Sequence, residues 1–187
     1  MPTAMFPTTS LPLPQIAEEM GFSDEAREAI KGVKDAAQAL QLFQEQNLGH
    51  DALALVARAL PKRYLIVWVC QCVRNNPQPD IEAQMADMAA IAIVERWLRQ
   101  ATEEHRRAAA DFASNGGYQS VGDWVAATVA WVEGSLAPPD LPPVLPADHL
   151  CARAGLAALL ILSAREPNKL EERQLAFVQT AKEMFGH

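Results

Sequence analysis

The stretch of this chain best suited to chemistry is "HLCAR", where His149, Cys151 and Arg153 fall within a few positions. A thiol becomes a nucleophile when a base reaches it and its pKa is lowered. A cysteine in the first turn of a helix can gain the second condition from the helix dipole. The spacing works against the first, because positions two apart diverge by about 200° around a helix. The same divergence separates Cys70 from Cys72, so they neither bridge nor share a metal. Three cysteines with no CxxC pair argue against a disulfide framework and a zinc site alike. All three read as buried, reduced thiols. The four histidines, His50, His105, His149 and His187, form no HExxH pattern, and there is no P-loop, GxGxxG or GxSxG. Trp124 and Trp131, seven apart, have the spacing of an aromatic cage but read as core. No catalytic, metal or cofactor residue is assigned, and no cofactor is expected.

Composition narrows the partners. A net charge of −7 disfavours nucleic acid, whose binding rests on lysine and arginine neutralising phosphates. The densest basic spots, "PKR" at 61–63 and "HRR" at 105–107, are short and read as solvated helix faces. The apolar runs 64–73 and 154–164 are about half the ~20 residues that span a bilayer. The N-terminus has neither a basic region nor an apolar core of a secretory signal. A cytoplasmic protein without membrane contact is expected. With 50% apolar residues in 187, the chain can fold on its own core.

The elements that would position any site are helical. After an irregular tail over 1–13, Pro14 opens a short helix to residue 20. Ser23 caps the next, which Gly32 stops. Helices follow over 35–46, over 50–59 and from Pro61 to Pro77. Residues 80–100 carry two apolar stripes, Ile81, Met85, Met88, Ala92 and Leu98 on one side, Ala83, Ala86, Ala90, Ile93 and Trp97 on the other. Two apolar faces predict a central helix. Thr102 caps the next helix and Gly116–Gly117 stop it. Residues 120–133 form another, with Asp123 pointing away. Asp148 starts a second central helix to Ala164, and Pro167 an outer one to Phe185. The expected fold class is all-α, a single-domain bundle of about eight to nine helices over 14–187.

Before the last two helices lies "GSLAPPDLPPVLP", which holds five of the thirteen prolines. Proline pairs force extended backbone and forbid helix. The segment 134–147 is therefore expected to be a stiff strap before the penultimate helix, with Leu136, Leu141, Val144 and Leu145 dipping into grooves. Extended, it would reach about 40 Å, enough to cross the domain. Arg58, Lys62 and Arg63 cluster where two helices meet at Pro61, and Asp140 of the strap is expected to pair with one of them.

"LPKR" (60–63) followed by Trp68, and "GSLAPPDLPP" (134–143) followed by "HLCARA" (149–154), resemble the signature of a bacterial domain family of unknown function. The likeness covers about residues 15–180. It departs at Trp68–Val69, where the family often has a tryptophan pair. Members of that family occur beside type VI secretion genes, among PAAR-repeat proteins and effector-loading adaptors. The resemblance implies an accessory protein and assigns no catalytic residue.

The function expected is a non-catalytic, protein-binding adaptor or co-chaperone, its partner a secretion effector or an effector's chaperone. The residues expected to bind that partner or clamp the strap are Arg58, Lys62, Arg63, Trp68, Leu136, Pro138, Pro139, Asp140, Leu141 and Arg153. The alternative is a small-molecule sensor or small enzyme with an inter-helix pocket around His149, Cys151 and Arg153. Homodimerisation through outer helices is a third reading.

Overall fold

A computed structural model describes residues 6–186; residues 1–5 of the tail expected over 1–13, and His187, lie outside the described residues. The described residues form ten α-helices and one 3-10 turn, with no strand among them. The chain is all-helical, as its composition implies. No helix among the described residues is long and apolar enough to cross a membrane. The fold gathers into two compact units, one from Met1–Pro61 with Ser163–His187, the other Lys62–Leu162.

In the first unit, α1 (Leu13–Met20), α2 (Asp24–Ala29), α3 (Ala36–Glu45) and α4 (Gly49–Ala59) precede the closing α10 (Leu170–Phe185). Local signals set their starts. Ser23 Oγ accepts from Ala26 N, and Asp35 caps α3 by accepting from Ala37 N. The centre of the unit is α4, buried from Asp51 to Ala59, with α1, α3 and α10 packed on it. Its first residue is glycine for a packing reason. A Cβ at Gly49 would meet Gln174 Oε1 at 2.8 Å. The buried carboxylate of Asp51 accepts from both the backbone and hydroxyl of Ser23, at 2.8 and 2.9 Å, tying the start of α2 to α4.

The second unit holds α5 (Lys62–Asn75), α6 (Ile81–Arg99), α7 (Glu103–Asn115), α8 (Val121–Ala130) and most of α9 (Leu150–Ala164). Its centre is α8, on which α5, α6 and α7 pack. Every α8 residue except Trp124 is buried. Close approach requires small side chains here. A Cβ on Gly122 would sit 3.2 Å from Ala90 Cβ, and one on Gly155 of α9 would sit 2.9 Å from Leu65 Cδ1 of α5.

Two expectations are corrected in this unit. The helix over 80–100 is not central: Ile81 and Met85 are 75% and 67% exposed, and only the Asp87, Ala90, Ile91, Val94, Trp97 face is covered. Asp123 does not point away. It is buried, and completes a capping box with Ser120. Both aspartates face inward because backbone N–H groups meet them. Asp87 accepts from Gly122 N at 3.1 Å and from Gln78 Nε2 at 3.0 Å.

Removing that acceptor leaves a buried N–H unpaired. Asp87→Ala should lower the unfolding free energy by about 2–3 kcal/mol in urea titration, the range for an orphaned donor with a charged partner. A loss below about 0.5 kcal/mol, the level of an ordinary surface change, would refute this role.

Candidate functional site

The proline segment is held rather than free, chiefly by Arg106 and Arg107, which were expected to lie on a solvated helix face. α8 ends at Ala130, leaving carbonyls without intrahelical donors. Arg106, 2% exposed on α7, supplies one: its Nη1 donates to Ala130 O at 2.7 Å. Its Nη2 donates to Ser135 O at 2.9 Å, and Arg107 Nη1 donates to Ala137 O at 2.9 Å. Glu103 accepts from both arginines, bidentate from Arg106 at 2.6 Å and from Arg107 at 2.7 Å. Gly134, at φ +74°, fits under the clamp because a Cβ there would lie 2.8 Å from Arg106 Nε.

The segment folds back on itself. Leu136 N donates to Val144 O at 2.7 Å, and Ser135 Oγ accepts from Ala137 N and Val144 N at 3.1 and 3.0 Å. Leu141 N donates to Pro138 O at 3.1 Å, closing a turn over Pro139 and Asp140. The expected domain-crossing strap is instead a closed loop. Its large apolar residues do not dip into grooves: Leu136 is 40%, Leu141 55%, Val144 55% and Leu145 74% exposed. Hydrogen bonds to its backbone, rather than burial of its apolar side chains, hold the loop.

The other expected site residues separate. Arg58 lies in the first unit, paired with Glu19 at 2.6 Å. Lys62 lies in the second, where its Nζ donates to Val132 O at 3.0 Å and pairs with Asp148 at 2.9 Å, holding the entrance and exit of the loop. Arg63 donates to Leu98 O at 2.5 Å and lies over the Trp97 ring at 5.3 Å. The partner expected for this corner was Asp140; Asp140 is an exposed turn residue, and Asp148 takes Lys62 instead. Trp68 is completely buried, so it cannot present a surface to a partner. Arg153 is exposed while Cys151 is buried. Burial pushes the Cys151 thiol up to about 12, the opposite of what a nucleophile needs.

A groove of about 780 Å³ runs between α7, the end of α8 and the loop. Tyr118 and Trp131 line it, stacked at 5.6 Å, with Trp124 edge-on to Trp131 at 5.8 Å. Leu136, Pro138 and Pro139 form its other wall, and Asp111 and Ser114 its rim along α7. Tyr118 reaches this position through a left-handed backbone, φ 57°, following Gly117 at φ 70°. Thus Trp124 and Trp131, expected to be plain core, are half-buried around a tyrosine that sequence reasoning did not single out. A legible signal did exist for the clamp. Glu103 stands three and four residues before Arg106 and Arg107, the spacing at which helix side chains meet.

A model of a family of unknown function (DUF6931) matches residues 39–185. The chain belongs to that family. The groove, the loop and both clamping arginines all lie inside the match, so the candidate site is part of the DUF6931 domain rather than an appendage. No curated protein and no solved structure matches the chain.

Removing the clamp should free the loop before it unfolds the helices. Arg106→Ala leaves two carbonyls unpaired and should cost about 2–4 kcal/mol, with amide exchange rising first over 135–145. Uniform exchange across the unit would refute the order.

Acid should do the same reversibly. The hydrogen bonds from Arg106 hold Glu103 down from 4.5 to about 2; slight burial opposes them, and Arg107 adds to them. A carboxylate lowered on folding stabilises the fold above its unfolded pKa and loses that contribution as pH falls through its folded one. Tryptophan emission should therefore shift between about pH 4.5 and about pH 2. Glu103→Gln should flatten that shift, and an unchanged titration would refute the assignment.

Proposed function

We propose that this chain is a non-catalytic adaptor that holds an extended, basic segment of another protein in the groove of Tyr118, Trp131 and Pro138–Pro139. The observation that carries the reading is a carboxylate, Asp111, that lines the same groove as the Tyr118–Trp131 stack. The groove's two arginines already spend donors within the chain, on Glu103 and on the carbonyls of Ala130, Ser135 and Ala137. Asp111 is exposed on the rim and, among the described residues, takes no ion pair. A lysine or arginine laid on the Tyr118–Trp131 stack would meet both a π face and a carboxylate. The net charge of −7 would favour its approach. The rigid proline wall loses little entropy on binding.

The likeness of "LPKR" and "GSLAPPDLPP" to domains encoded beside type VI secretion genes supports placing this adaptor with effector loading, its partner an effector or an effector's chaperone. The rival, a sensor or small enzyme, has less behind it. The groove is partly open to solvent rather than enclosed, and the nearby thiol at Cys151 is held protonated.

Affinity capture with the full chain, run beside Trp131→Ala and Asp111→Lys, tests this reading. Both variants should keep native helicity and lose the captured protein by tenfold or more, as for a central aromatic contact and its charge partner. Recovery of the same proteins by both variants would overturn the groove assignment. A retained small molecule in native mass spectrometry, displaced by Trp131→Ala, would turn the reading to the sensor.

A further inference from the structure

The outer face of α6 carries an interaction surface separate from the groove. A solvent-facing helix side is normally polar, yet this one is apolar for three turns. Ile81 and Met85 are 75% and 67% exposed; Met88 is half-buried, and Ala89 and Ala92 are exposed. Charge appears only at the ends of the face. Glu82 sits in the first turn, Arg96 and Arg99 in the last. Among the described residues, none of these three takes an ion pair within the chain, whereas Glu95 beside them is paired to Arg74.

The order of these residues says what fits. Large side chains occupy the first half of the face and small ones the second, with acid at the start and base at the end. We infer that the occupant is a second copy of this chain, its α6 lying antiparallel across the first about a two-fold axis between Met88 and Ala89. Met85 of each copy then lies level with Ala92 of the other, large against small. Met88 lies level with Ala89. Glu82 falls within one residue of level with Arg96, and both lie on the same flank, so two equivalent ion pairs close the ends. The helix dipoles also oppose. A parallel copy would set Ile81 against Ile81 and Arg96 against Arg96, crowding one end and repelling at the other. One helix pair makes a small interface, so the dimer is weak and concentration-dependent. Its α6 face lies apart from the groove residues, and the groove reading stands or falls without it.

Sedimentation equilibrium over a dilution series of the full chain tests the inference. The average mass should climb from 20.4 kDa toward twice that as concentration rises. Met85→Asp, at an exposed position, should stay at 20.4 kDa throughout with unchanged circular dichroism. Glu82→Arg or Arg96→Glu alone should weaken association about tenfold, and the two together should restore it. A wild-type mass that never rises overturns the dimer. Association that survives Met85→Asp, or a double variant no better than the singles, overturns this antiparallel face.

Discussion

A helix that ends inside a folded unit leaves carbonyl oxygens with nothing to accept from, and water cannot reach all of them. In the second unit that constraint is met at Ala130 by the buried guanidinium of Arg106. One planar cation serves three masters at once: the helix end, the first loop carbonyl and Glu103. Its charge would be costly in such a place without the carboxylate, and the carboxylate is where it is because both belong to one face of α7. The shape of the proline loop and the wall it lends the groove follow from that arrangement.

The centres of the two units obey a second constraint, which is distance. Glycine and alanine line the surfaces where α8 meets α6, where α9 meets α5 and where α4 meets α10. At Gly49, Gly122 and Gly155 one more carbon would press on a neighbour. Backbones that approach this closely bring peptide groups within reach of buried side chains. This is how Asp87 on one helix accepts from the first turn of another. Tight packing and buried carboxylates are thus two sides of the same design.

Local grammar was legible in the residues and long-range pairing was not. Ser23 and Thr102 announce helix starts because a cap is a contact within three residues, and each does cap; Asp35 and Ser120, at the starts of two other expected helices, cap them as well. The all-helical class follows from alanine and from the scarcity of alternating runs. The centre of the fold was misplaced because periodicity counts apolar residues without knowing what faces them. The Ile81–Met85 stripe looks inward by composition, and an aspartate in the true inner face looks like a margin. The prolines foretold extended backbone. The fold-back depends on Ser135 Oγ accepting from N–H groups two and nine positions further along, which no proline pattern encodes. The clamp was discounted since "HRR" reads as a solvated run, and only burial distinguishes Arg106 from an ordinary surface cation.

All three cysteines, Cys70, Cys72 and Cys151, are buried and belong to the second unit; the first has none. Burial pushes all three thiols well above the ordinary cysteine range, so an alkylating reagent meets little thiolate while that unit stays closed. Labelling rates therefore form a built-in clock for the opening of one half of the molecule. Set beside a spectroscopic melt of the whole chain, that clock would reveal whether the two units unfold in one cooperative step or in two.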